Sequence, residues 1–395
     1  MNQLIDIINN IVDTAPLISE YETVTLDQAL NRVLKNAQVS SIPVPPNDNS
    51  AMDGVTINSQ QQVPGEWLPI SQTIFAGHPP SALTSNTAAR IYTGSEIPEN
   101  ADAVAMQEDC EFNEDKTQVK INITLKPGEN IRPQGQDIQL GEEIIPAGQR
   151  LKPQDIGLLA SIGIHEIQVI RKPKVAIFST GDELVNPGET LAPGKIYNSN
   201  QYLLIAALTA LGCEVKNLGK AEDTLEATKE MLQQTANADC IITTGGVSIG
   251  DADWVKQAVS ELGELKNWKL PIKPGKPLAY GIINNTPFFG LPGNPVAVFN
   301  TLLLIVKPYL FKMLGSNQPL KTRKFKTNFS HKAPSRINFL RVKFNEQGDL
   351  EKFSNQSSGV LSSVTWADGL AIVPIDKTVK SGDKLDVILL NDSIF

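Results

Sequence analysis

Val175-Ala176-Ile177-Phe178-Ser179-Thr180-Gly181-Asp182-Glu183-Leu184 runs from four apolar residues straight into two hydroxyls, a glycine and two carboxylates. So short an apolar run reads as a buried strand, and the polar stretch after it as the turn at the strand's carboxyl end. Downstream the rhythm continues: a helix is expected over 199–211, a strand over 213–218, a helix over 224–234 and a strand over 239–243. Strands alternating with helices of this length specify a mainly parallel α/β sheet with crossover helices. Strands near 278–283 and 288–291 and a long apolar helix over 296–314 complete it.

Open sheets of this kind bind ligands beyond the carboxyl ends of their strands. A second strand ends as the first does: Thr243 and Thr244 lead into Gly245, Gly246, Val247, Ser248, Ile249, Gly250, Asp251, Ala252 and Asp253, a glycine-rich loop that opens a helix. Paired glycines let backbone amides approach an anion, and the helix start adds its positive dipole end. Asp251 and Asp253 can cap that helix or hold a divalent cation beside a phosphate; capping is the commoner use and is preferred for Asp251. Lys273-Pro274-Gly275-Lys276-Pro277 sets two lysines on a stiff frame, a solvated turn or an anion site with equal weight. Gly290-Leu291-Pro292-Gly293-Asn294-Pro295 aims the apolar helix that follows.

Upstream, residues 1–12 carry a helical apolar rhythm without the basic segment or cleavage site of a signal peptide, and a second helix is expected over 26–33 with Thr25 as its cap. Residues 42–46 hold three prolines, and the chain to about 140 is rich in Pro, Gly, Asn and Thr with short apolar runs at 103–106 and 119–123, a β-rich lobe. A helix over 153–162 and a β-branched run to residue 170 follow. Beyond 315–319, alternating runs at 339–344, 369–373 and 384–389 read as a small C-terminal β-barrel or sandwich. The expected division is 1–24 with 140–172 as a discontinuous helical and linking domain, 25–139 as the lobe, 173–315 as the α/β domain and 320–395 as the β-barrel.

A length of 395 residues is more than one core usually supports. With 41% hydrophobic and 20% charged residues the composition is globular, no apolar run is expected to reach membrane-spanning length, and the cytoplasm is the expected location. A formal charge of −8 disfavours sequence-independent nucleic-acid binding but not a local anion pocket. Cys110, Cys213 and Cys240, odd in number and far apart, indicate neither disulfides nor a paired-Cys metal site.

Read singly, Asp48-Asn49-Ser50-Ala51-Met52-Asp53-Gly54 is an elaborate turn, and Thr93-Gly94 and Gly135 to Ile138 are ordinary ones. Taken in order, DNSAMDG (48–54), RIYTG (90–94), PENADAVAMQE (98–108), GQDI (135–138), STGDEL (179–184), IYNSN (196–200), GGVSIG (245–250), KPGKP (273–277) and GLPGNP (290–295) resemble the motifs of the molybdopterin molybdenumtransferase family, which includes MoeA and the gephyrin E-domain. Weaker matches around 339–342 and 356–363 extend the resemblance to nearly the whole chain.

The resemblance implies an α/β domain that binds molybdopterin, and a homodimer in which the partner's lobe closes the site. It implies insertion of molybdenum from molybdate into adenylylated molybdopterin, with Mg²⁺ as cation and AMP released. Matching positions are Asp53, Thr93, Asp137, Glu183 and Asp253 for catalysis. Glu183, Asp223 and Asp253 match for the metal, and Thr180, Gly181, Gly245, Gly246, Ser248, Lys273, Lys276, Pro292, Pro295, Arg341 and Ser358 for substrate. Molybdate is a tetrahedral dianion, so ammonium, guanidinium and hydroxyl donors suit it. His78, His165 and His331 fall in no matched motif and are expected to be surface or structural. Val55, Gln136, Asn198 and Glu222 depart from the family's usual residues. The resemblance also allows transient contact with other enzymes of molybdenum cofactor biosynthesis. Two rivals remain: an adenylyltransferase built on a lone α/β domain, disfavoured by the additional domains, and a scaffold of the same fold without turnover.

Overall fold

The computed structural model describes residues 2–246 and 254–393. Its central sheet has six strands in the order Glu214–Ala221, Lys174–Thr180, Cys240–Thr244, Thr286–Leu291, Pro277–Ile283, Gly263–Lys269. The first four run parallel and the last two join antiparallel. Alternation along the strands supplies both faces. Val175, Ile177, Ile242 and Phe289 point into one core with Leu204 and Leu208 of the helix Ser199–Ala210. Phe178, Ile241 and Phe288 point into the other with Leu232, Val255 and Val259 from the helices Leu225–Gln233 and Trp254–Leu262. The apolar opening stretch is therefore an interior strand covered on both sides. The edge strand Gly263–Lys269 had no clear signal in the sequence.

The apolar helix that closes this unit spans Pro295–Met313 and corrects one expectation: at 19 residues with a mean hydropathy of 1.5 it is long and apolar enough to cross a membrane, by length and composition alone. It is a core helix here, 78% of its apolar window buried, packed with Leu4 and Ile11 of the N-terminal helix Asn2–Val12. A π-type turn, Leu302–Val306, precedes Pro308, whose ring and missing N–H cannot continue regular pairing.

Strands on either side of the lobe come together. Tyr21–Thr25 pairs with Glu166–Ile170, and Gln38–Val39 with Glu143–Ile145, over a shared core of Val24, Ala29, Leu34, Leu151, Leu159 and Val169. The helix expected over 26–33 is not formed. Only a 3-10 turn, Leu26–Gln28, is present, and the Thr25 side chain makes no capping bond. Asn31 takes a left-handed φ of 65°, and Val33 and Leu34 bridge to Arg150 and Val169, so long-range pairing overrides the local helical rhythm.

The lobe sheet runs Ala103–Met106, Gly54–Ile57, Ala88–Ile91, Trp67–Ile74, Gln118–Ile121, Cys110–Phe112. Gly54 explains part of its motif, because a Cβ there would strike the Ala105 carbonyl. In the C-terminal sheet, Ile337–Phe344, Gly369–Val373, Lys384–Leu389 and Arg323–Lys326 lie in succession. Its outermost strand comes from elsewhere: Ile272–Lys273 leaves the α/β unit and pairs parallel with Ile337–Phe344, Lys273 opposite Asn338. That short pairing joins the two units and fixes the loop between them.

Candidate active site

At this junction lies a cleft of about 720 Å³. One wall is the loop Lys273 to Pro277, with Gly245 and Gly246 beside it and Pro292, Gly293 and Asn294 at the start of the apolar helix; the other is the strand carrying Asn338 to Arg341, with His331, Arg336 and Gln356 to Ser358.

The loop is anchored from below. Fully buried Asn300 donates its Nδ2 to the Pro274 carbonyl at 3.2 Å, and Leu270 N–H donates to the Lys276 carbonyl at 2.8 Å. Both lysine side chains are left exposed. Asn200 Nδ2 donates to the Gly293 carbonyl at 2.6 Å, and Val296 N–H donates to the Ser358 carbonyl at 3.1 Å, tying the helix start to the C-terminal wall. Gly245 and Gly246 have φ of 86° and 61°, and a Cβ on either would run into Thr180. The Thr180 hydroxyl beneath them is buried without a partner among the described residues.

Arg341 is the distinctive group. It is fully buried, with Nε donating to Ser363 Oγ at 2.9 Å, Nη2 to the Ser357 carbonyl at 3.0 Å and Nη1 to the Phe339 carbonyl at 3.4 Å. Burial pulls its pKa down to about 10, which leaves it cationic at neutral pH. All three acceptors are neutral, and no ion pair to Arg341 is found among the described residues. Sequestering a cation without a counter-ion costs on the order of several kcal/mol. The cleft repeats the pattern: Lys273, Lys276, Arg336 and Arg341 line it, and none of the described lining residues is Asp or Glu, in a chain of net charge −8. A wall of this sign attracts anions and repels cations.

Of the residues expected from sequence, Gly245, Gly246, Lys273, Lys276, Pro292, Arg341 and Ser358 line the cleft. Thr180 lies directly under the glycines, and Pro295 follows the lining residue Asn294 without lining the cleft itself. Gly181, with φ of 139°, lies against the Glu183 carboxylate. Glu183 and Asp223 are exposed and outside the cleft lining. Ser248, Asp251 and Asp253 lie outside the described residues. Among those described, no group of three or more His, Cys, Asp or Glu side chains could hold a metal.

The lobe residues form a separate arrangement. Asp53 Oδ1 accepts from both the N–H and the hydroxyl of Thr93, each at 2.7 Å, and these bonds hold its carboxyl below the usual range. Asp137 is exposed, its N–H donating to the Val44 carbonyl at 2.9 Å. None of the three lines the cleft.

Two departures from the family's usual residues have clear local roles. Asn198 is buried, and its Oδ1 accepts from Gln201 N–H at 3.3 Å as the cap of Ser199–Ala210. Val55 is fully buried in the lobe core. Gln136 and Glu222 are exposed.

Sequence reading missed Arg336, Asn338 and His331. His331 was expected at the surface or in a structural role, yet it lines the cleft, its Nε2 3.2 Å from Asn338 Oδ1. Burial lowers its pKa; Asn338 opposes the shift, and Lys352 and Lys273 add to it. Only the pairing of His331–Ala333 with Lys377–Val379 brings it there, a contact with no local signature. Arg336 had a usable signal: it stands just before the strand that carries Arg341.

Three family profiles match in succession: the MoeA N-terminal region (domains I and II) over residues 2–163, a probable molybdopterin-binding domain over 176–312, and the MoeA C-terminal region (domain IV) over 327–390. A molybdopterin molybdenumtransferase of Haemophilus influenzae is 39% identical over 350 residues, covering 87% of this chain and 86% of the relative. One from a Nostoc species is 34% identical, covering 98% of this chain and 92% of the relative. Two crystal structures of a molybdopterin biosynthesis MoeA protein from Pyrococcus horikoshii superpose with TM-scores of 0.80 and 0.86 at 32% and 28% identity. Each covers 98% of this chain, and the chain covers 98% and 99% of them. With relatives matched end to end and the cleft at the junction of the second and third matched regions, the chain belongs to the molybdopterin molybdenumtransferase family.

Proposed function

We propose that this chain inserts molybdenum from molybdate into adenylylated molybdopterin and releases AMP, in molybdenum cofactor biosynthesis. The observation that carries the reading is the fully buried Arg341, with no ion pair among the described residues, facing a cleft whose described lining has three further cations and no carboxylate. Molybdate, a dianion, supplies the missing charge. Arg341 and Ser358 hold it with charge-assisted and hydroxyl hydrogen bonds, Lys276 closing over it from the opposite loop, while Lys273 faces the pterin substrate beside it. Gly245, Gly246 and Ser248 receive a phosphate of the pterin substrate by backbone and hydroxyl donors, with Thr180 beneath the glycines, Pro292 in the cleft lining, and Gly181 and Pro295 framing the loops from behind.

Glu183, Asp223 and Asp253 are the residues that would hold Mg²⁺. Glu183, whose carboxylate lies against Gly181 just past a strand end, is of the donor type that ion takes. When bound, the ion neutralises charge on the phosphoanhydride. The chain works as a homodimer in which Asp53, Thr93 and Asp137 act on the partner's cleft; that they do not line their own cleft supports this. The cytoplasm is the place of work, with transient contacts to other enzymes of the pathway.

The test is AMP release from adenylylated molybdopterin with purified protein and Mg²⁺, molybdate added or withheld. Release that depends on molybdate is expected. Tight binding of the nucleotide ligand without release would overturn the reading in favour of a scaffold.

A further inference from the structure

Four cations line the cleft, and among the described lining residues there is no Asp or Glu; four exceed what one dianion neutralises. They are also held in two places. Arg341 is fixed by Ser363, Ser357 and Phe339 on its side of the wall. Arg336, half-buried, stands before the same strand, its Nη1 3.5 Å from the Ile272 carbonyl. Strand pairing sets Lys273 opposite Asn338, two residues from Arg336.

Between them the polar contacts are neutral. Asn338 Nδ2 donates to the Arg336 carbonyl at 2.7 Å, which turns its Oδ1 toward His331 Nε2 and leaves that nitrogen as the donor. No ion pair to Arg336 or Lys273 is found among the described residues. Arg336 is a planar fork suited to a phosphate, on the side of the cleft where Lys273 emerges.

Resting on the proposed molybdate reading, we propose that Arg336 and Lys273 form a second oxyanion subsite, which holds a phosphate group of the pterin substrate while Arg341 and Ser358 hold molybdate. The cleft then carries both anions at once, and its two arginines divide the work. Arg336 contacts substrate without taking part in the chemistry at molybdenum.

Titration calorimetry on the full chain tests this, with molybdate and inorganic pyrophosphate as probes, each alone and each against a saturating amount of the other. Both should bind together. Arg336→Ala should weaken pyrophosphate about 10-fold or more, the scale of a lost charge-assisted contact, while molybdate affinity stays within about threefold. Arg341→Ala should do the reverse, and Arg336→Lys should restore part of the pyrophosphate binding. Thermal melting keeps loss of fold apart from loss of contact. Mutually exclusive binding, equal weakening of both probes by Arg336→Ala, no effect of that substitution, or no pyrophosphate binding by the unmodified chain would each overturn the proposal. Unchanged molybdate binding in Arg341→Ala would instead count against the molybdate reading itself.

Discussion

The cleft and the lobe carry the two halves of the expected site, and they are built in opposite ways. The cleft is lined by four cations and, among the described residues, by no carboxylate, and it draws on two units of one chain, joined by the two-residue pairing of Ile272–Lys273 with Ile337–Phe344. In the lobe, Asp53 is a carboxylate already satisfied by Thr93, exposed, and no part of that cleft. One half is left needing a ligand; the other is pre-set and turned elsewhere. The contrast teaches that residues of one family signature need not meet within one chain.

The contrast is broken most severely at Arg341. Arg341→Ala should lower molybdate-dependent AMP release by about 100-fold or more, since a buried guanidinium holding a dianion contributes several charge-assisted hydrogen bonds. Turnover within a few-fold of the parent would sink the assignment. Arg341→Lys should recover little, because an ammonium cannot reproduce the fork held by Ser363 and Ser357.

Mixing sharpens the comparison. Asp53→Ala and Arg341→Ala subunits, each close to inactive alone, should regain up to about a quarter of the parent activity as hybrids, one intact site in a heterodimer and half the dimers hybrid at random. Absence of any recovery, with hybrids shown to form, would mean that the lobe acts on its own chain.

Smaller effects concern the frames. Gly54→Ala should destabilise the protein by about 3 kcal/mol in denaturant unfolding, since its Cβ meets the Ala105 carbonyl and neither backbone can yield cheaply. Thr93→Val should raise the Asp53 carboxyl toward the ordinary range, seen by NMR titration, because the hydroxyl bond is lost and the backbone bond remains. Asp53's contribution to stability is present above the unfolded carboxylate range and lost as pH falls through the depressed folded value.

Lys307 offers a control outside both regions. Burial, and then Arg150, lower its pKa to about 8. Between there and an unfolded value of about 10.4 the unfolded chain binds the extra proton, so stability should rise with pH over that window. Lys307→Met should flatten the slope without changing molybdate binding.

Much of this was legible in the sequence, and the physics says which parts. The apolar run 175–178 ending in hydroxyls and carboxylates announces a buried strand with a polar end, and the Lys-Pro-Gly-Lys-Pro frame announces a stiff loop, which sets both its lysines in the cleft lining. The helix wrongly expected over 26–33 shows the limit: Asn31 turns left-handed and Val33 and Leu34 pair with residues far along the chain, which no local rhythm records. Arg341 was legible as a donor but not as a fully buried one, because its side-chain bonds run to Ser357 and Ser363, 16 and 22 residues along the chain. His331 was missed for the same reason, since its place in the cleft follows from strand pairing rather than from neighbours in sequence, whereas Arg336 stood in view just before the strand that carries Arg341.

Anomalous diffraction at the molybdenum edge, from crystals of the protein soaked in molybdate, tests the assignment of the cleft most directly. A peak in the cleft within hydrogen-bond reach of Arg341 and Ser358, absent in Arg341→Ala crystals, is the predicted result. A peak elsewhere in the molecule, or one that survives the loss of Arg341, would contradict the account.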